Sequence, residues 1–426
     1  MNNLTRSTNV LIYIFFLGIF FLSRTFMGLT FFGFRLGEIA IFISCLSFLL
    51  SLFFYKRFLQ NFVSVSQTMI YLSSFLLFSF IIYVLYSKGN FLNLYIYKAS
   101  SYIWVIGFLF IGIFVSQYNY INQRHTYAFL FLLLFIYYYS IYGIPDNWQD
   151  ILLRYSDKFE YHKGSDILIM FVSTFYILNR LSLNKRLTLE IFLCYCFLFL
   201  PLLLFKSRGA FISLLVFIIL ELWFLRKSFK VGVARNLILF VLLMIILFQS
   251  IFIVNKSGFL KLLEVEENTE FIISYRDVPL EESGGFLYIK EGRIYSGDGN
   301  LNWRLQIWQD VVLDLASDQK LLTGFNYNEK IPAMDDPFRS GDDGTNENVH
   351  NFIINIIARG GIVHLATYLS LLYVIFKKSI NINGSSAINF AIPLLLASLL
   401  DSSMENSHFP LIFYFISGII INKKLN

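Results

Sequence analysis

Three short polar groupings interrupt an otherwise apolar chain of 426 residues. Lys206-Ser207-Arg208-Gly209 packs two cations into a turn between two hydrophobic runs. A helix starting at Arg208-Gly209 offers backbone amides beside a guanidinium, a natural seat for phosphate. The plainer alternative is an arginine paired with lipid headgroups. Arg304 lies one helical turn before Trp308, beside the apolar side of an amphipathic stretch. There it serves either as an anion ligand or as a snorkelling anchor. His350-Asn351 directly precedes another hydrophobic run, and histidine is the side chain able to take a proton near neutral pH. A solvated loop histidine has the same signature. Arg359 sits within that run, about two and a half turns after His350. It needs a carboxylate, a polar cavity or a ligand phosphate. Glu38, Asp401 and Glu405, near helix ends, are candidate partners for it or for Arg35.

Other chemistries are poorly served. There is no glycine-rich nucleotide loop, no His-Glu-x-x-His spacing and no Ser/His/Asp signature, so neither a metal, a cofactor nor a nucleotide-driven pump is expected. Asp335, Asp336, Asp342 and Asp343 lack the spacing of a calcium loop. Cys45, Cys194 and Cys196 fall within apolar runs, with Cys194 and Cys196 on different sides of one helix, which points to packing in lipid rather than to a disulfide or metal pair.

The elements that must position these residues are membrane helices. The chain is 57% hydrophobic and 15% charged, against roughly 25% charged residues in soluble domains. Its apolar residues fall in blocks of about twenty, the length that crosses a hydrocarbon core. Backbone groups in lipid must pair within their own segment, so such runs form helices. About twelve spans are expected, at 9–23, 36–55, 67–87, 99–116, 126–144, 166–181, 188–205, 209–225, 236–254, 352–376, 387–402 and 409–422. The first reads as an anchor rather than a cleaved signal, because no small-x-small site follows it.

Basic residues orient the bundle. Lys56 and Arg57, Arg124, Arg180 with Lys185 and Arg186, Arg226 through Arg235, Lys377 and Lys378, and Lys423 and Lys424 all fall on one side. Retention of cationic loops in the cytoplasm places both termini there. The expected organisation is therefore spans one to nine over 1–254, a large periplasmic loop over 255–351, and spans ten to twelve over 352–426. The stretch 255–349 holds 18 of the 28 acidic residues and 9 of the 34 basic ones, in a chain of net charge +6. That acidity argues against nucleic acid and for an independently folded external element. Residues 264–300 look strand- and turn-like. Leu301–Ala316 reads as a helix with Leu301, Leu305, Trp308, Val312 and Leu315 on its apolar side, and with Trp303 and Trp308 suited to a membrane interface. Residues 335–349 read as mobile. There is no internal repeat, which weakens a repeat-built transporter.

The layout resembles the O-antigen ligase and O-antigen polymerase superfamily. Three motifs carry the resemblance: Ser-Arg-Gly-Ala at 207–210 opening a mid-chain span; Asn-Trp-Arg-Leu-Gln-Ile-Trp at 302–308, followed by Leu-Leu-Thr-Gly-Phe at 321–325; and His-Asn-Phe-Ile-Ile-Asn-Ile-Ile-Ala-Arg-Gly-Gly-Ile-Val at 350–363. The likeness covers roughly 188–376, and the first six spans match only in number and hydropathy. It implies a metal-independent inverting glycosyltransferase of the bacterial inner membrane. The donor would be a glycan linked to undecaprenyl diphosphate, and the acceptor a hydroxyl on a lipid A core or a second lipid-linked unit. By the same resemblance Arg208 and Arg304 hold the donor diphosphate, with Lys206 nearby, and His350 assists the acceptor hydroxyl. Arg359 and Asn351 are secondary candidates. The acidic stretch at 335–347 departs from the family pattern and bears on the acceptor. A polysaccharide flippase and a non-catalytic membrane scaffold are the rival readings.

Overall fold

A computed structural model of the protein describes residues 18, 20, 23–53, 67–89, 96, 99–117, 123–143, 145–156, 162–226, 287–290, 292–335, 339, 349–401 and 403–422. The expected spans at 9–23 (except for a few residues) and 236–254, the stretch 264–286, and most of 336–348 lie outside them. Contacts divide the chain into two units: Met1–Ser73, Ser101–Leu263 and Leu372–Asn426 in the first, Ser74–Ser100 and Glu264–Leu371 in the second.

The chain is mostly helical. A small hairpin of β1 (Thr30–Phe31) and β2 (Phe34–Arg35) leads into α1 (Leu36–Phe53). Then come α2 (Gln67–Tyr86), a single turn at Ser101–Trp104, α3 (Gly107–Gln117), α4 (Gln123–Tyr142), α5 (Asp146–Tyr155), α6 (Gly164–Leu181), α7 (Lys185–Lys206) and α8 (Arg208–Leu225). A second hairpin, β3 (Leu287–Lys290) and β4 (Arg293–Ser296), precedes α9 (Gly299–Ser317). The last helices are α10 (Phe352–Asn383), α11 (Ile388–Leu400) and α12 (His408–Asn422).

Four helical stretches among the described residues are long and apolar enough to cross a membrane: Gln67–Tyr86, Leu187–Lys206, Arg208–Leu225 and Phe352–Leu400. A fifth arises if α4 and α5, bent by 98°, form one broken span. The sequence leads to twelve, of which 9–23 and 236–254 lie largely or wholly outside the described residues. Leu36–Ser51, Ser101–Ser116 and His408–Asn422 are apolar but short. The run near 99–116 is divided between the turn at Ser101–Trp104 and α3, and Gly107 at the start of α3 lies hard against the Ser44 backbone. α6 carries Asp166 and Arg180 at its two ends, and every residue from Gly164 to Arg180 is buried.

α6 is the centre of the first unit, with α4, α7, α8, α11 and α12 packed around it. Near its C-terminal end Arg180 donates to Glu221 of α8 at 2.7 Å and to the Ser386 carbonyl at 3.1 Å. Asn179 and Asn389 donate to the same carboxylate at 2.7 and 3.0 Å. Burying this pair is tolerable because each charge is met by several hydrogen bonds.

In the second unit, Ile307, Val311 and Leu315 of α9 form a core with Phe325, Ile331, Ala333, Met334, Val349 and Ala358. The inward stripe of α9 keeps Trp308 and Leu315 from the expected one but runs through Ile307 and Val311. Val312 is exposed, while Trp303 and Trp308 pack inward. β4 is tied to α9 by Arg293, which donates to Gln306 at 3.0 Å and Asp310 at 2.6 Å; Asp310 also receives Arg339 at 2.6 Å.

Candidate functional site

Ser207 ends α7 and caps α8, its hydroxyl accepting the Ala210 amide at 3.3 Å. Arg208 is therefore the first residue of α8, as the sequence suggests, and it is exposed, while Lys206 is half-buried at the end of α7. The turn is seated by close backbone packing. A Cβ on Gly164 would come within 2.7 Å of the Ser207 Cβ, and one on Gly209 within 2.8 Å of the Leu400 Cβ.

Polar groups gather at this end of the first unit. Asp166, in the first turn of α6, accepts from its own Lys163 amide at 3.1 Å, meets His408 Nε2 at 2.6 Å and lies 3.5 Å from Arg24 Nε. Asp401, just after α11, accepts the Ser165 hydroxyl at 2.9 Å. Asp166, Arg24 and His408 are not among the residues whose spacing in sequence points to chemistry. The available signal was an aspartate inside an apolar run, which is rarely placed there without a partner. Glu38, in the first turn of α1, accepts the Arg35 amide at 2.9 Å.

Arg304, His350, Asn351 and Arg359 belong to the second unit. α9 starts at Gly299, where the Asp298 side chain accepts the Leu301 amide at 3.0 Å. That cap fixes the register that carries Arg304, which is half-buried. Its neighbours on the same helix hold the turn bearing His350. Trp308 Nε1 donates to the Val349 carbonyl at 2.6 Å, and the Trp303 ring meets the His350 ring edge-on, with centroids 5.1 Å apart. The helix of Arg304 and the loop of His350 are thus joined. His350 has φ +54, the left-handed conformation that turns the chain into α10.

Asn351 is accounted for by local structure. Its side-chain oxygen accepts the Ile353 and Ile354 amides at 2.9 and 3.2 Å, so it is the cap of α10. Arg359 is 1% exposed and finds a partner set not foreseen from sequence: the backbone carbonyls of Asn326, at 3.2 Å, and of Glu329. Among the described residues no group of three or more His, Cys, Asp or Glu side chains is placed to hold a metal ion. Cys45, Cys194 and Cys196 are free thiols, with Cys194 exposed and Cys196 buried.

These features define a helical membrane protein with cationic and imidazole side chains at helix starts. Residues 192–369 match the family model described as O-antigen ligase. That stretch contains Lys206, Arg208, Arg304, His350 and Arg359 with all three motifs, and over it the likeness to the O-antigen ligase and polymerase superfamily holds. No curated protein matches the chain.

Proposed function

We propose that the protein transfers a glycan from undecaprenyl diphosphate to an acceptor hydroxyl at the periplasmic face of the inner membrane, as an O-antigen ligase acting on a lipid A core or similar acceptor. In this reading twelve spans cross the membrane with both termini cytoplasmic. Arg208, beside the first amides of α8, and Arg304 on α9 bind the donor diphosphate, assisted by Lys206. The acceptor oxygen attacks the anomeric carbon from the face opposite the leaving group. A carbon–oxygen bond forms, the bond to the diphosphate breaks, and its electron pair leaves on the phosphate oxygen. The acceptor proton passes to His350. Two fixed guanidiniums stabilise the departing anion without a metal, and a positioned histidine contributes typically ~10²–10⁴-fold. The diphosphate bond supplies the energy, so no ATP is needed.

The observation that carries this reading is the family match spanning all three residues. It is supported by the joining of Arg304's helix to the His350 turn. The test is in-vitro transfer from a purified undecaprenyl-diphosphate oligosaccharide, with and without a chelator. Arg208→Ala, Arg304→Ala and His350→Ala should each abolish transfer in folded protein, and the chelator should change nothing. Full transfer by all three variants, or movement of the lipid-linked glycan across proteoliposomes without transfer, refutes the assignment. A polymerase of the same superfamily is the second reading. Gene deletion separates the two: loss of all lipid-A-linked ladder marks a ligase, and a single-repeat band marks a polymerase.

A further inference from the structure

α10 is physically two helices. Gly361 has φ +65 and ψ −170, so the rod divides into a short piece starting at Phe352, with His350 at its head, and a longer piece running to Asn383. Such a break orphans backbone groups, which is costly in a bilayer. A loop fills it. The Phe325 amide donates to the Ala358 carbonyl at 2.7 Å, the Asn326 amide to the Arg359 carbonyl at 3.1 Å, and the Ile362 amide to the Leu321 carbonyl at 2.9 Å. The backbones approach because two glycines face them. A Cβ on Gly324 would strike the Arg359–Gly360 peptide, and one on Gly361 the Leu322–Thr323 peptide.

Side chains then lock the loop from both flanks. The Arg359 guanidinium donates to the Asn326 and Glu329 carbonyls. The Tyr327 hydroxyl meets His364 Nδ1 at 2.8 Å, and His364 Nε2 meets Ser79 Oγ at 2.7 Å. The Ser79 hydroxyl spends its hydrogen on the Phe75 carbonyl, so its oxygen accepts from Nε2–H and Tyr327 donates to Nδ1. Asn328 and Ser87 exchange two further bonds, at 2.7 and 3.2 Å.

We infer that Leu321–Glu329 is a clamp that sets where His350 stands, with Arg359 and Tyr327 as positioning residues for the transfer reaction. The inference rests on reading His350 as the proton acceptor. The short piece of α10 spans nine residues, Phe352–Gly360, a lever of about 13 Å at ~1.5 Å per residue. A tilt of ~5° at the break moves its head by ~1 Å, and a misplacement of that size costs ~10²-fold in rate. The head of the lever is tethered by Trp308 and Trp303, and the clamp sets the angle at its other end.

The test measures transfer from a purified undecaprenyl-diphosphate oligosaccharide by Arg359→Lys, Tyr327→Phe and His350→Ala, each checked for monodispersity. Both clamp variants should lose ~10- to 100-fold in kcat, with the KM for donor held within about two-fold of the parent, since the residues that bind donor are untouched. Added imidazole should restore part of the rate in all three, because a diffusible base replaces an absent or misplaced ring; loss of folded protein does not respond to imidazole. Parental kcat in both clamp variants overturns the inference, as does a loss confined to KM or lacking any imidazole response. If His350→Ala itself keeps full transfer, the underlying reading of His350 has failed, and the inference with it. If His350→Ala is inactive while both clamp variants are unaffected, the clamp alone has failed.

Discussion

Replacing Asp166 by asparagine removes one charge and almost no volume from the start of α6, beside the turn that carries Arg208. The carboxylate is 1% exposed and holds three groups: the Lys163 amide at 3.1 Å, His408 at 2.6 Å and Arg24 at 3.5 Å. Asparagine keeps an oxygen for the helix-capping amide and an amide group for His408, so what it chiefly gives up is the ion pair. A neutral hydrogen bond between membrane helices averages only about 0.6 kcal/mol, whereas removing one partner of a buried pair costs about 3–5 kcal/mol. The Arg24 side chain is 12% exposed, so water reaches part of it and the loss falls below that range, at about 2–3 kcal/mol. Asp166→Ala also loses the cap, worth about 1 kcal/mol, and should cost about 3–5 kcal/mol in total. The assay is thermal unfolding of the detergent-solubilised protein, followed by transfer activity on the fraction that remains folded. Because Gly164 of the same helix seats Ser207, transfer should drop ~10-fold in Asp166→Asn even where protein is intact. Unfolding at the parental temperature in both variants refutes the electrostatic reasoning. An alanine variant no worse than the asparagine variant refutes the capping step.

Arg180→Met leaves Glu221 buried without its guanidinium and should destabilise by about 3–5 kcal/mol, while the double variant Arg180→Met with Glu221→Leu should unfold at a higher temperature than the single one. Trp308→Phe deletes the bond to the Val349 carbonyl, at about 0.5–1.5 kcal/mol, and should lower kcat more than stability because the His350 turn loses its tether. Burial, followed by Asp310 and Asp318, raises the Asp314 carboxyl above its ordinary value. The folded state then binds protons more readily than the unfolded one, so this group's penalty grows as pH rises through its folded pKa. Asp314→Asn should accordingly raise the unfolding temperature at neutral pH, and the advantage should vanish in acid below the ordinary carboxylate range.

Much of the local structure is legible in the sequence because it depends on near neighbours. The Ser-Arg-Gly-Ala turn at 207–210 marks the start of α8, and the observed α9 at Gly299–Ser317 lies within two residues of the helix expected from periodicity. Which side of α9 turns inward was legible only in part, through Trp308 and Leu315. Ile307, Val311 and Leu315 compete with Leu305, Val312 and Leu313, and the contacts with Phe325 and Met334 decide between them. Arg359 was visible as a buried cation but not its partners, since nothing in a run of apolar residues says that a loop some thirty positions earlier will supply carbonyls. The pairing of Asp166 with His408 spans 242 positions and has no local trace. Of the candidate residues, Asn351 turns out to be a cap and Arg359 a backbone ligand, roles that residue type alone leaves open.

α6 is wrapped by five other helices along its whole length. Its surroundings are protein rather than acyl chains, so the bilayer exerts no direct selection on its composition. That freedom is what lets serine, threonine, asparagine and two ions ride on it. Variation along this rod should be limited by shape and by polar complementarity, so saturation mutagenesis should find it less forgiving of an added leucine than the more exposed helices around it.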